Sequence, residues 1–412
     1  MDRQLRKNVV WNIIGSTFSS FNSLFFLVIV NRVNGIFDGG VFSYAFSLAC
    51  LFFIIGNYAG RTYQLSDSEG KLNDSEYLLH KIITCIIMMV CCLCYCIFQP
   101  YTEKKLIAVI TLTAFRGLDA LSETLYGFMQ KKEQLYIAGI SMFVKSLIGV
   151  SIFLIVDLLT HNLALSCAIL ILTNLSVILL IDIPFGRKNM HKAKIRKNHL
   201  LSLFPSGFSV FAFSFLAIYI VNVPKYVING ILSDDYQTIF NIIAMPATFM
   251  SLCGQYIINP VLVKLVDFHE TNKPDKFKKL IAKIVFLLVG ILVIVEVGAY
   301  LLGIPILSLI YAVDLHAYKM QLLLILLGAF VYTLATIYSM ALTTMQHNNF
   351  QLVIYIVSSI CGFVLSSVLI RRLGIQGATF AYFGTMLLHG IQYTIYYHFE
   401  LNSWHKMIAK EQ

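Results

Sequence analysis

Three ionisable residues, Arg116, Asp119 and Glu123, interrupt an otherwise apolar run and are spaced by three and four positions. At about 100° per residue a helix gathers them into one narrow stripe, which Thr113, Gly127 and Gln130 extend. A charge at the centre of a membrane helix costs roughly 2.5–3.5 kcal/mol on insertion scales, so this stripe faces a partner or a water-filled cavity and not lipid. Two chemistries fit it. One is structural: an Arg116–Asp119 pair that offsets its own burial and pins the helix to its neighbours. The other is functional: Asp119 and Glu123 are like charges one turn apart, so one of them is a candidate to carry a proton.

Other ionisable residues stand in apolar runs. Lys145 lies about ten residues into the next run, too deep for easy snorkelling. It reads either as a counter-ion for Asp119 or Glu123 or as a cation lining a cavity that receives an anionic headgroup. Lys225 follows Pro224 near the end of a run, where snorkelling is the simpler expectation. Glu296 is the main ionisable residue in the apolar runs of the second half, and a candidate for ion or proton coupling. His389 reads as a hydrogen-bonded packing residue, because no second ligand stands one turn away. All nine cysteines sit in apolar runs without nearby His or carboxylate, so neither a metal site nor a disulfide framework is expected.

The elements that position these residues follow from composition. The 412 residues are 58% hydrophobic and 13% charged, with a mean hydropathy of +0.77, which excludes both disorder and an ordinary soluble enzyme. The net charge of +10 reads as cytoplasmic loop charge and not as a nucleic-acid footprint. A bilayer core of about 30 Å needs about 20 helical residues, and the chain supplies that length twelve times. The expected spans are 8–31, 38–60, 79–98, 104–128, 135–156, 161–183, 203–228, 236–263, 281–302, 318–345, 349–370 and 375–398. The first run is too long for a signal peptide and lacks a cleavage site, so it is expected to remain as a span. With both termini inside, 22 of the 31 Lys and Arg fall in cytoplasmic segments and 6 in external loops, which sets the orientation.

The basic stretch Arg187 to Lys197 follows the sixth span and divides the chain into similar halves. The expected organisation is a six-helix bundle over 1–185, a basic linker over 186–202, a second six-helix bundle over 203–400 and a tail over 401–412. Asn34-Gly35-Ile36 recurs as Asn229-Gly230-Ile231, and Ala114-Phe115 and Met129-Gln130 recur as Ala329-Phe330 and Met345-Gln346. Shared order, register and membrane side suggest a parallel repeat, as in transporters built from two halves. At an offset of 216 the positions matching Arg116, Asp119 and Glu123 are Tyr332, Ala335 and Ser339, all uncharged. The scaffold does without these charges in its second copy.

The segment Arg116 to Gln130, with Arg61-Thr-Tyr-Gln-Leu-Ser-Asp67 after the second span, resembles the Wzx-type polysaccharide repeat-unit flippases. Those belong to the multidrug, oligosaccharidyl-lipid and polysaccharide exporter superfamily. The resemblance implies an all-α integral membrane fold of about twelve transmembrane helices, its two six-helix bundles forming a V around a central cavity. It implies a cargo of undecaprenyl diphosphate-linked oligosaccharide for capsule, O-antigen or a similar glycan, moved from the inner to the outer leaflet of a bacterial cytoplasmic membrane. Arg61 would then sit at the cytoplasmic mouth, with Arg116 and Lys145 lining the cavity and Lys225 a further substrate-binding candidate. Arg suits the diphosphate because its planar fork binds two oxygens at once. Asp119, Glu123 or Glu296 would couple transport to a proton or sodium gradient, and no cofactor is expected. A polymerase or glycosyltransferases of the same pathway are the expected protein partners. The nearest rival is a drug or metabolite exporter of the same superfamily. A membrane-embedded polymerase or glycosyltransferase is disfavoured: the longest external stretch, 303–317, is short, and no catalytic arrangement stands out.

Overall fold

The computed structural model describes residues 3–58, 60–66, 72–191, 193–347 and 349–411. Asp67, Lys71 and Lys192 of the sequence reading lie outside these, as do the side chains of Thr62, Tyr63, Ser66, Lys197 and Lys410. Every regular element among the described residues is helical. The first helices are α1 (Arg3–Val33), α2 (Ile36–Gly56), the short α3 (Arg61–Ser66), α4 (Asp74–Ile97), α5 (Glu103–Lys131) and α6 (Leu135–Thr160). Next, α7 (Leu163–Val177) runs through a π turn, Ile178–Asp182, into α8 (Ile183–Asn189). After them come α9 (Lys197–Ile231), α10 (Asp234–Ile258), α11 (Leu262–Glu270), α12 (Pro274–Gly298), α13 (Ile304–Tyr311), α14 (Lys319–Thr344) and α15 (Asn349–Glu411).

Among the described residues ten helical stretches are long and apolar enough to cross a membrane. The helix α5 is equally long but carries Arg116, Asp119 and Glu123, and α15 contains two helices, broken at Gly374. There φ is 58° and ψ −131°, a backbone state that glycine adopts at little steric cost. Among the described residues this gives twelve membrane-length helices, the number the hydropathy runs predict.

Contacts divide the chain into two compact units, Met1–Ile218 and Tyr219–Gln412. The division falls inside α9, and both ends of the stretch expected as a linker, 186–202, are helical: α8 reaches Asn189 and α9 starts at Lys197. The intervening strap is clipped onto the N-terminus of α4. Buried Glu76 accepts from the Arg196 backbone N–H at 2.8 Å and from its guanidinium at 3.0 and 3.2 Å, while Asp74 accepts from the His191 N–H at 2.9 Å. Asn73 completes a capping box with Glu76, so one carboxylate serves both helix start and strap. The segment expected as a tail, 401–412, continues as helix to Glu411.

Within the first unit α1 lies directly along α6. A Cβ on Gly15 would stand 2.2 Å from the Gly139 carbonyl oxygen, and one on Gly139 would stand 2.3 Å from that of Trp11. Only bare backbone permits this approach, the small-residue packing typical of membrane helices. Phe26, Phe42 and Phe153 close the core beyond it, with ring centroids 4.9–6.1 Å apart.

Candidate functional site

Helix α5 presents its ionic stripe inward within the first unit. Arg116 donates to Asp119 at 2.8 Å, one turn along the same helix, and Asn174 of α7 donates to the other Asp119 oxygen at 2.8 Å. The Arg116 guanidinium lies 4.5 Å from the centroid of the Phe53 ring, so an aromatic face replaces part of its lost hydration. Its Nε is buried without a hydrogen-bond partner among the described residues. One turn further on, Glu123 meets Arg61 of α3 at 3.5 Å, both side chains about one-quarter exposed.

Lys145 pairs neither with Asp119 nor with Glu123. Its ammonium lies 2.6 Å from Asp182 and also donates to Ser122, while the Asp182 carboxylate accepts from Ser122 at 2.8 Å and from Ser141. Asp182 has no solvent exposure and Lys145 retains 9%. Hydrogen bonds to the remaining oxygens are what make such a dry pair tolerable, because Coulomb attraction alone barely offsets the desolvation of two ions. The π turn supplies the geometry: its extra residue places Asp182 against α5 and α6.

These groups surround a cavity of about 250 Å3 within the first unit. Arg116, Lys145, Asp119 and Glu123 line it, with Asn22 of α1 adding a carbonyl oxygen that is buried and unpartnered among the described residues. Three cations and three carboxylates, Arg61, Arg116 and Lys145 against Asp119, Glu123 and Asp182, make the cluster electrically balanced. An incoming anion must draw a cation from its partner or find an unused donor, and Arg116 Nε is one.

Arg116, Asp119 and Glu123, singled out by spacing, and Lys145, singled out by its depth, all line this cavity, and Arg61 reaches it through Glu123. Asp182 was missed because it falls at the limit of the expected sixth span, 161–183, where a carboxylate reads as a headgroup-level residue. The signal was its position amid Val177 to Phe185, a run otherwise apolar. Asn174, the second support of Asp119, gave none.

The second unit holds the other two candidates. Lys225 is half-buried on α9 and Glu296 half-buried on α12. The positions matching the stripe are different in kind. Tyr332 stacks on His389 with ring centroids 5.9 Å apart, Ala335 is fully buried, and the Ser339 hydroxyl donates to Gln351. His389 is a packing residue, 1% exposed and hydrogen-bonded to Ser358 at 2.9 Å.

The fold is that of membrane transporters and flippases of the multidrug-exporter kind. An inward-facing multidrug resistance MATE family transporter of the MOP superfamily superposes with a TM-score of 0.72, covering 96% of this chain and 99% of that one at 10% identity. The lipid II flippase MurJ in an inward closed conformation gives 0.74, covering 94% of this chain and 87% of that one at 13% identity. Among curated proteins, the capsular polysaccharide biosynthesis protein CapF of Staphylococcus aureus is 22% identical over 404 residues, which are 95% of this chain and 98% of CapF. No family model matches the chain.

Proposed function

We propose that this protein is a flippase for polyprenyl diphosphate-linked oligosaccharide repeat units. It moves them from the inner to the outer leaflet of a bacterial cytoplasmic membrane by alternating access, with both termini in the cytoplasm and no enzymatic step. The reading rests on the cavity lined by Arg116 and Lys145, with Asp119, Glu123 and Asp182 beside them, on helices of the first unit. A relative named for capsular polysaccharide biosynthesis and a fold shared with a lipid II flippase support the same cargo class. A diphosphate cannot cross hydrocarbon unaided, and a cationic, hydrated cleft lowers that barrier.

In this reading Arg116 and Lys145 exchange their carboxylates for phosphate oxygens, Arg61 acts at entry and Lys225 later along the path. A proton or sodium ion on Asp119, Glu123 or Glu296 compensates the exchange and couples transport to a gradient. A polymerase or glycosyltransferases of the same pathway would hand over or receive the cargo. The aromatic wall of Phe26, Phe53 and Phe115 beside Asp119 favours a second reading, export of small organic cations.

The test is reconstitution in vesicles with lipid-linked oligosaccharide, leaflet exposure being followed under imposed proton and sodium gradients. Translocation by the wild type, lost in Arg116→Ala and Lys145→Ala chains inserted at normal levels, is the expected result. Full translocation by both variants overturns the cation mechanism, and gradient-driven ethidium transport without lipid translocation selects the exporter.

A further inference from the structure

The second unit opens a pocket of its own beside α14, the helix that echoes α5. Between α10 and α14 lies a cavity of about 80 Å3 lined by Ser251, Gln255, Tyr332, Thr333 and Thr336. Gly254 forms its tight base, where a Cβ would meet the Thr333 methyl at 2.2 Å.

Every polar group in this lining is neutral. The Thr333 and Thr336 hydroxyls donate to the carbonyls of Ala329 and Tyr332 at 2.8 and 3.0 Å, which leaves their oxygens as acceptors. Among the described residues neither Ser251 nor Gln255 has a hydrogen-bond partner. Both stand on a helix of membrane-spanning length, where an unpartnered amide or hydroxyl turned to lipid is costly, so they face water or a polar ligand. The Tyr332 ring is held by its stacking on His389, giving the pocket one fixed aromatic face.

This lining selects a chemistry. An anion finds no cation in it, and an organic cation finds no carboxylate. A sugar has what the pocket complements: hydroxyls and amides that donate and accept, on substituents whose C–H groups pack against an aromatic ring. The volume holds one ring substituent, such as a hydroxymethyl or acetamido group, with the ring itself outside.

We infer that this pocket is a neutral glycan subsite, which binds a sugar of the cargo. The inference rests on the flippase reading and adds to it a second recognition element of opposite character.

The test measures binding of two probes to the purified full chain. One is polyprenyl diphosphate-linked oligosaccharide extracted from cells depleted of this protein; the other is polyprenyl diphosphate without sugar. Losing two neutral hydrogen bonds in the Ser251→Ala, Gln255→Ala double variant is expected to weaken the glycan-bearing probe about tenfold. The bare probe is expected to bind that variant as it binds the wild type. Tyr332→Phe, which keeps the ring and its packing, is expected to weaken the glycan-bearing probe by a smaller factor, and Arg116→Ala to weaken both probes.

Equal losses for both probes in the double variant, or no loss for either, overturn the glycan subsite and leave the flippase reading standing. So does a wild type that binds the bare probe as tightly as the glycan-bearing one. A wild type that binds neither probe overturns the flippase reading, and the subsite with it.

Discussion

Helices α5 and α14 echo each other in sequence and each packs at the heart of its own unit, yet one carries Arg116, Asp119 and Glu123 where the other carries Tyr332, Ala335 and Ser339. The second helix secures its place with a fully buried Ala335, a stacked Tyr332 and a Ser339–Gln351 hydrogen bond. Packing a membrane helix at this position therefore needs no ions. The ionic stripe on α5 is an addition, and Asn174 and the Phe53 ring make that addition tolerable. Residues that a scaffold can do without are where function is expected to concentrate.

The contrast breaks most visibly at the driest pair. Asp182→Ala is expected to destabilise the protein by about 3–5 kcal/mol, because Lys145 would remain buried without its counter-charge. Thermal unfolding in detergent measures this. Replacing both partners, Lys145→Met with Asp182→Leu, is expected to recover most of that stability while translocation stays lost; recovery of both would make the pair a packing device.

Moving charge the other way is the next largest effect. Ala335→Asp puts the equivalent of Asp119 into the second unit, where no Arg stands one turn before it, at a cost of roughly 2.5–3.5 kcal/mol. Lower membrane yield and a reduced unfolding temperature are the readouts, and adding Tyr332→Arg should return part of the loss. A silent Ala335→Asp would mean the second unit already holds water there.

Arg116→Lys sharpens the comparison within the stripe. The charge survives, but the unpartnered Nε donor and the broad contact with Phe53 do not, so translocation is expected to fall about tenfold with a change of only about 1 kcal/mol in stability. The smallest effect belongs to the outermost pair. Arg61→Ala removes a contact to Glu123 between partly exposed groups at 3.5 Å, worth about 0–1 kcal/mol, which places the shift near the limit of a thermal melt.

Helix number and the inward stripe were readable because hydropathy runs and three- and four-residue spacings are local properties of a chain. Partner choice was not local. Lys145 had two acidic candidates on the adjacent helix, and the backbone delivered a third from 37 residues away by inserting a π turn, which leaves no mark in residue periodicity. The tie between Arg196 and Glu76 was likewise not local, since the two stand 120 residues apart. The close backbone approach of Gly15 and Gly139 is also invisible until α1 and α6 are seen side by side.

A π turn is, in register, one surplus amino acid in a coil that otherwise keeps α pitch. Excising a single residue between Ile178 and Asp182 would let the coil close to regular α pitch with the helix beyond it still in register, so the loss would fall on the residues the bulge displaces, and the carboxylate would lose its place against Lys145. The ion pair therefore depends on chain length at this turn as much as on the identity of its two side chains.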